Sequence, residues 1–181
     1  MTIQIGFDPS QTQTSAERLT TGKGWAPGSV VTDRKGNEWL FVQASTALPK
    51  NNIIRVLASA NQAAPFTSAG IAGTAGAVKA YAVSASASIA SGSYGWVMTK
   101  CRNGGDAAVK CSGSATGTYV PTAGLLACAS GQPGLVSQTA TTTHFSLVGV
   151  TVAATATTTT TASTIPVVFY GGIKMTSAAN P

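Results

Sequence analysis

Few side chains in this sequence could do chemistry. There is one histidine, His144, with five carboxylates (Asp8, Glu17, Asp33, Glu38, Asp106) and three cysteines (Cys101, Cys111, Cys128). General acid–base catalysis needs at least two such groups held together. His144, in Thr-Thr-Thr-His-Phe, has no acid beside it and reads as a polar strand-edge residue, while the carboxylates fall mostly in the N-terminal stretch or at turns. The densest cluster, Asp33, Arg34, Lys35 and Glu38, puts four charges into six positions of a chain in which 9% of residues are charged. No nucleophile or histidine lies near it, so it reads as a solvated hairpin tip rather than an active site. No GxSxG, Walker A, HExxH, GxGxxG or EF-hand pattern occurs, and the Cys, His and Asp spacings offer no metal-ligand set. The sequence therefore predicts neither an enzyme nor a metal or cofactor site.

The cysteines form no CxxC pair, and as an odd set they read as reduced thiols with a packing role. Cys101 and Cys111 bracket the turn Asn103-Gly104-Gly105-Asp106. A two-residue loop there would pair Cys101 with Ala108 and Cys111 with Met98, an offset that argues against a disulfide between them.

The elements that carry these residues read as strands. Val30-Val31-Thr32, the Asp-Arg-Lys-Gly turn and the run from Asn37 to Ala44 form a hairpin, with Gly36 as the left-handed turn residue. Trp39 and Phe41 share one face of its second strand with Gln43, and Leu40, Val42 and Ala44 share the other, so both faces should be covered. Further strands are expected over Asn52–Leu57, the alternating Ala/Ser/Val run to Ser91, the Gly-Ser-Tyr-Gly-Trp-Val-Met-Thr-Lys segment hairpinned with Ala107–Cys111, Leu125–Ala129 and Leu135–Ser137. A last pair, Phe145–Ala153 and Ile165–Met175, is joined by a tract in which 12 of the 14 residues from 151 to 164 are Thr or Ala. The segment through Gly70, Gly73 and Gly76 reads as a loop. Short strands with Gly/Pro turns predict an all-β fold, an antiparallel β-sandwich or barrel, over residues 29–181. Residues 1–28 read as an extended N-terminal arm, rich in Thr and Gln, that contributes little to the core.

No apolar run approaches the roughly 18 residues that would span a bilayer, and the N-terminus has neither a basic nor an apolar signal region, so synthesis in the cytoplasm is expected. The net charge of +6 comes from 11 dispersed basic residues with no run of four. That pattern suits turn and edge-strand charges better than a nucleic-acid patch, and leaves attraction to an acidic protein surface open.

At GNEWLFVQAS, GSYGWVMTKCRNGGDAAVKC and AGLLACASGQPGLV the chain resembles the small β-rich capsid decoration, or cement, proteins of tailed bacteriophages. Those proteins carry a G-[NE]-x-W-x-[FY]-V-x-A strand, a YGWV strand, a G-x-x-x-V hairpin and an A-G-x-x-L…G-x-x-G run. The resemblance spans roughly residues 28 to 137, departs at the cysteines and the Thr/Ala tract, and names no functional site. It implies a symmetric homo-oligomer, a trimer first of all, made in the host cytoplasm and bound to the major capsid protein on the virion exterior, where it stabilises the particle. A tail or head-fibre component and a carbohydrate-binding module are the alternatives. Partner contacts are expected at Ile3, Ile5, Phe7, Trp25 and Lys35, and Trp39, Phe41 and Trp96 are expected in the core, since each aromatic ring removes a large apolar area from water. Exposed Trp39 and Trp96 would instead serve as sugar-stacking platforms.

Overall fold

The structure, a computed structural model, describes residues 7–17, 24–58, 60–67, 78–110, 126–128, 134–137, 144–152 and 164–177. Its strands are β1 (Val30–Thr32), β2 (Glu38–Ala44), β3 (Ile53–Leu57), β4 (Gln62–Pro65), β5 (Val78–Val83), β6 (Tyr94–Lys100) and β7 (Ala108–Lys110). They are followed by β8 (Leu126–Cys128), β9 (Val136–Ser137), β10 (His144–Val148), β11 (Thr151–Val152), β12 (Thr164–Val168) and β13 (Lys174–Ser177). The fold is all-β, as the strand patterning predicts.

A closed five-strand barrel forms the centre, in the order β2-β4-β3-β5-β6 and back to β2. The pairing is antiparallel except between β2 and β4, which run parallel over Gln43↔Gln62 and Ala44↔Ala63. β1 pairs with the first half of β2, where β4 does not reach. The two-residue period of β2 sorts its side chains as the sequence predicts. Leu40, Val42 and Ala44 enter the barrel interior with Ile54, Val56 and Val97, all at most 2% exposed. Trp39 and Phe41 face outward with Trp96 and Met98 into a second core, roofed by Val109, Val167 and Phe169 from the outer strands. Each buried Val, Leu, Ile or Phe is worth about 1.5–3 kcal/mol relative to its exposed state, so a sheet covered on both sides draws stability from both faces of every strand. A narrow barrel has room inside only for small residues at several positions: Ala44, Ala63 and Ala82 are buried there, and a Cβ on Gly95 would lie 2.6 Å from Ile89 Cδ1.

Several sequence expectations are corrected. The chain does reverse at Asn103–Asp106, but β6 and β7 do not pair with each other; β6 lies in the barrel and β7 pairs with β12, while Cys101 bridges Phe169. Of the strand expected from Ala77 to Ser91 only Val78–Val83 forms one, and the alternating Ser/Ala run that follows does not continue it. Beyond it the Ser84 and Ser88 hydroxyls accept from the backbone N–H groups of Asn52 and Lys50, so short polar side chains serve a neighbouring loop in place of a sheet ladder. β4, in a stretch read as connector, is a further strand. The last pair is present as two steps, β10 with β13 and β11 with β12. Gly70, Gly73, Gly76 and Cys111 lie outside the described residues.

The N-terminal segment is also not a detached arm where it is described. Phe7 and Trp25 pack against the outer core. Gln13 exchanges backbone hydrogen bonds with Tyr94 (2.9 and 2.7 Å), filling the edge of β6 where β5 no longer pairs. A capping box in which the Glu17 carboxylate accepts from the Thr14 N–H and hydroxyl, and Glu17 N–H donates to Thr14 Oγ1, caps the N-terminus of the helical residues Ser15–Glu17. Sparse anchors suffice because each is a large ring.

Candidate interaction surface at the barrel mouth

The charged tip between β1 and β2 is a hairpin, with Gly36 at φ 82°, but its charges are not idle. The Asp33 carboxylate accepts from the backbone N–H of Lys35 and of Asn37 (both 2.9 Å), from Asn37 Nδ2 (3.0 Å) and from Trp39 Nε1 (3.0 Å). Asn37, 1% exposed, donates also to Asp106 Oδ2 (2.9 Å) and accepts from the Arg102 N–H (2.9 Å). Lys35 closes the link with an ion pair to Asp106 at 2.5 Å. Burial alone would push the Asp106 carboxyl up, but the hydrogen bonds from Lys35 and Asn37 outweigh it and hold its pKa below the ordinary carboxylate value. The tip and the 103–106 turn are thus clipped together, so solvated turn charges are not an adequate description. Asn37, the residue that joins both acids, was marked in the sequence only by its place after the turn glycine.

Of the expected partner-contact residues, Phe7 and Trp25 lie on one aromatic cluster. Their rings meet Trp96 edge-on, with centroids 4.8 and 5.2 Å away, and Phe7 lies 6.1 Å from Trp39. Lys35 is exposed but spends its charge on Asp106. Ile3 and Ile5 lie outside the described residues. Trp39, Phe41 and Trp96 are core residues, 4%, 1% and 3% exposed, so these two indoles offer no open face to a sugar.

The opposite character is found where β2 begins and β6 ends. A cleft of about 300 Å³ opens there. Leu40, Ala80 and Ile173 contribute apolar lining, and Lys79, Lys100 and Lys174, from three different strands, line it as well. The far end of the interior is closed by the Leu48–Ile89 bridge, whose two backbone hydrogen bonds measure 2.8 and 2.9 Å. Glu38 contributes the one carboxylate in the cleft, and both oxygens are occupied: Oε2 by Lys100 Nζ at 2.7 Å and Oε1 by the Thr99 hydroxyl at 2.9 Å. Burial pushes Glu38 up, but these partners prevail and its pKa lies below its ordinary value. The Tyr81 hydroxyl is pushed up by burial, against a smaller opposing pull from Arg55. None of the sequence-level candidates pointed to this cleft, because its cations stand far apart in the chain and no local run betrays them.

Asp8 is taken by Ser10 and Glu17 by Thr14, so all five carboxylates of the chain are engaged in short-range bonds. Among the described residues no three His, Cys, Asp or Glu side chains converge as a metal site. Cys101 is a buried free thiol whose pKa is raised by desolvation. His144 stands opposite Cys128 in the β10–β8 ladder. Among the described residues no helix is long and apolar enough to cross a membrane. Comparison with protein-family models, with curated proteins and with solved structures returned no match.

Proposed function

We propose that this chain is a non-enzymatic structural protein of a bacteriophage virion, a decoration protein that binds the outer surface of the capsid, contacts the major capsid protein and stabilises the shell. The observation that supports the reading most directly is the distribution of charge. Every carboxylate is turned into a local bond, whereas Arg34, Lys50, Lys79, Arg102, Lys110 and Lys174 are exposed and have no acidic partner among the described residues. A surface of uncompensated cations on a neutral, small-residue background is complementary to a large acidic protein face, and electrostatic complementarity sets register and speeds encounter. The same surface repeated over a lattice by a symmetric homo-oligomer, a trimer in this reading, lets modest contacts add up to firm attachment. The protein would be made in the host cytoplasm and reside on the virion exterior.

The test is co-sedimentation of the purified protein with capsids of the phage whose genome carries the sequence, with bound copies counted by quantitative mass spectrometry. Saturation at a fixed number of copies per lattice position, released by raised salt, is expected. A handful of copies per particle would assign the chain to the tail or a head fibre instead, and failure to sediment at any salt would overturn the virion reading.

A further inference from the structure

The cleft at the barrel mouth combines an apolar lining with lysines in excess over its carboxylate. Its lining includes the buried Leu40 and Ile173, 2% and 6% exposed, and Val30, 55% exposed, an apolar side chain left to water in a lining that also holds three lysines. Three lysines against one carboxylate give the lining a formal charge of +3 − 1 = +2. That carboxylate is already saturated by Lys100 and Thr99, so the surplus belongs to Lys79 and Lys174. Lys79 uses one of its three donors on Asn61 Oδ1 at 2.8 Å, which positions the ammonium and leaves two donors for a ligand. The Gly171–Gly172 corner forms one wall, and a Cβ on Gly171 would meet nothing within 4 Å, so the backbone there borders open space.

From this geometry we infer that the cleft is a docking site for an acidic segment of a protein, with an apolar side chain seated over Leu40, Ala80 and Ile173 and flanking carboxylates held by Lys79 and Lys174. The size fits: about 300 Å³ is at the lower end of the roughly 300–1,000 Å³ of small-ligand pockets, enough for one or two side chains. A nucleic acid fits less well. Its single-stranded form needs a free aromatic face on which bases stack, and the Tyr81 ring is instead packed edge-on against Phe66 at 6.1 Å. The lysines also act as point charges without the planar fork that grips phosphate in two places. The inference deepens the decoration reading by naming the contact that would hold the capsid, and it rests on that reading for the source of the acidic segment.

The test uses the full chain and a fluorescein-labelled octapeptide of alternating Glu and Leu, with an alternating Lys and Leu peptide and an oligothymidylate as controls, read by fluorescence anisotropy. Two variants probe the cleft. Gly171→Leu adds a bulky side chain to the cleft wall at a position with open space around its Cβ, and the exposed pair Lys79→Glu with Lys174→Glu reverses the charge of the cleft; thermal melting checks that each is folded. The acidic peptide is expected to bind at least about tenfold more tightly than the basic one, and either variant to weaken it about tenfold or more. Equal binding of the two peptides, or unchanged affinity in both variants, overturns the docking site. Tighter binding of the oligothymidylate, abolished by the same variants, would reassign the cleft to nucleic acid and overturn the proposal as well. Co-sedimentation with capsids separates this inference from the reading beneath it. If the wild type and the Lys79→Glu/Lys174→Glu pair attach equally, the cleft is not the contact although the virion role stands. If the peptide binds in the cleft but the wild type ignores capsids, the docking site stands and its partner is another protein.

Discussion

Trp39 Nε1 donates to Asp33 Oδ2 at 3.0 Å, so a turn carboxylate orients an indole that is 4% exposed in the outer core. Removing the acid would strand a buried indole N–H and uncap two backbone N–H groups of the turn. Bonds to a charged acceptor are worth about 1.5–3 kcal/mol each, though not additively. Asp33→Ala is therefore expected to cost about 2–3 kcal/mol in urea denaturation, with Arg34→Ala, on the same turn, within about 0.5 kcal/mol of wild type. Equal effects of the two substitutions would return the tip to a merely solvated turn.

Acid should destabilise the protein in a defined window. Asp106 and Glu38 have folded-state pKa values below their ordinary 3.8 and 4.5. A depressed carboxylate contributes stability that is fully present above its unfolded pKa and is lost as pH falls through the folded one. The melting temperature is expected to be level above about pH 5 and to fall progressively below about pH 4. Asp106→Asn should flatten that fall, because the proton it would take up is no longer needed. A Tm that rises on acidification would show that these two groups do not govern the response.

The N-terminal segment should matter to folding as well as to any contact it makes. Phe7 meets Trp96 edge-on at 4.8 Å, and Gln13 supplies both a donor and an acceptor to the backbone of Tyr94. Aromatic pairs of this kind add about 0.5–1.5 kcal/mol beyond the area they bury. Phe7→Ala is expected to lower stability by about 1–2 kcal/mol and to shift tryptophan emission to the red as water reaches Trp96. Trp96→Ala should cost about 3–5 kcal/mol by leaving a cavity. A deletion of residues 1–17 that melts like the full chain would show that these contacts carry no net energy.

What could be read in the sequence was local. The alternation of Trp39 and Phe41 against Leu40, Val42 and Ala44 announces a strand covered on both sides, because side chains of a strand change face at every residue. The Asp-Arg-Lys-Gly turn is equally plain, since Gly36 takes a positive φ of 82°. Turn chemistry, however, says only that the chain reverses. At Asn103 it reverses, yet Cys101 then bonds to Phe169, a residue far away in sequence, and β7 leaves for another sheet. β4 is Gln-Ala-Ala-Pro, without a β-branched or aromatic residue, and is held in place by β2 and β3 rather than by its own propensity. Ile3, Ile5 and Phe7 alternate and Trp25 stands alone, but neither pattern reveals that Phe7 and Trp25 cover Trp96. The mouth cleft was hidden for the same reason: Lys79, Lys100 and Lys174 meet only once the barrel has closed.

The close approach of Ile89 to Gly95 offers a sharper check on the packing of the barrel. Gly95 lies on β6, and a methyl group there would be 2.6 Å from Ile89 Cδ1 and 2.9 Å from its Cγ1. Ile89 is 1% exposed and its backbone is held by two hydrogen bonds to Leu48, so its side chain can move aside only within the packed interior. Gly95→Ala is expected to cost about 1–3 kcal/mol through overpacking. Ile89→Val removes Cδ1, the nearest atom, and alone should cost about 0.5–1.5 kcal/mol as a small cavity. Combined, each defect relieves the other: the new methyl occupies part of the space vacated by the old one, so the double variant should be less destabilised than the sum of the two singles by more than the roughly 0.3–0.5 kcal/mol scatter of independent sites. Strict additivity in the denaturation cycle would mean that Ile89 does not pack against Gly95 in solution, and the closure of that end of the barrel would have to be redrawn.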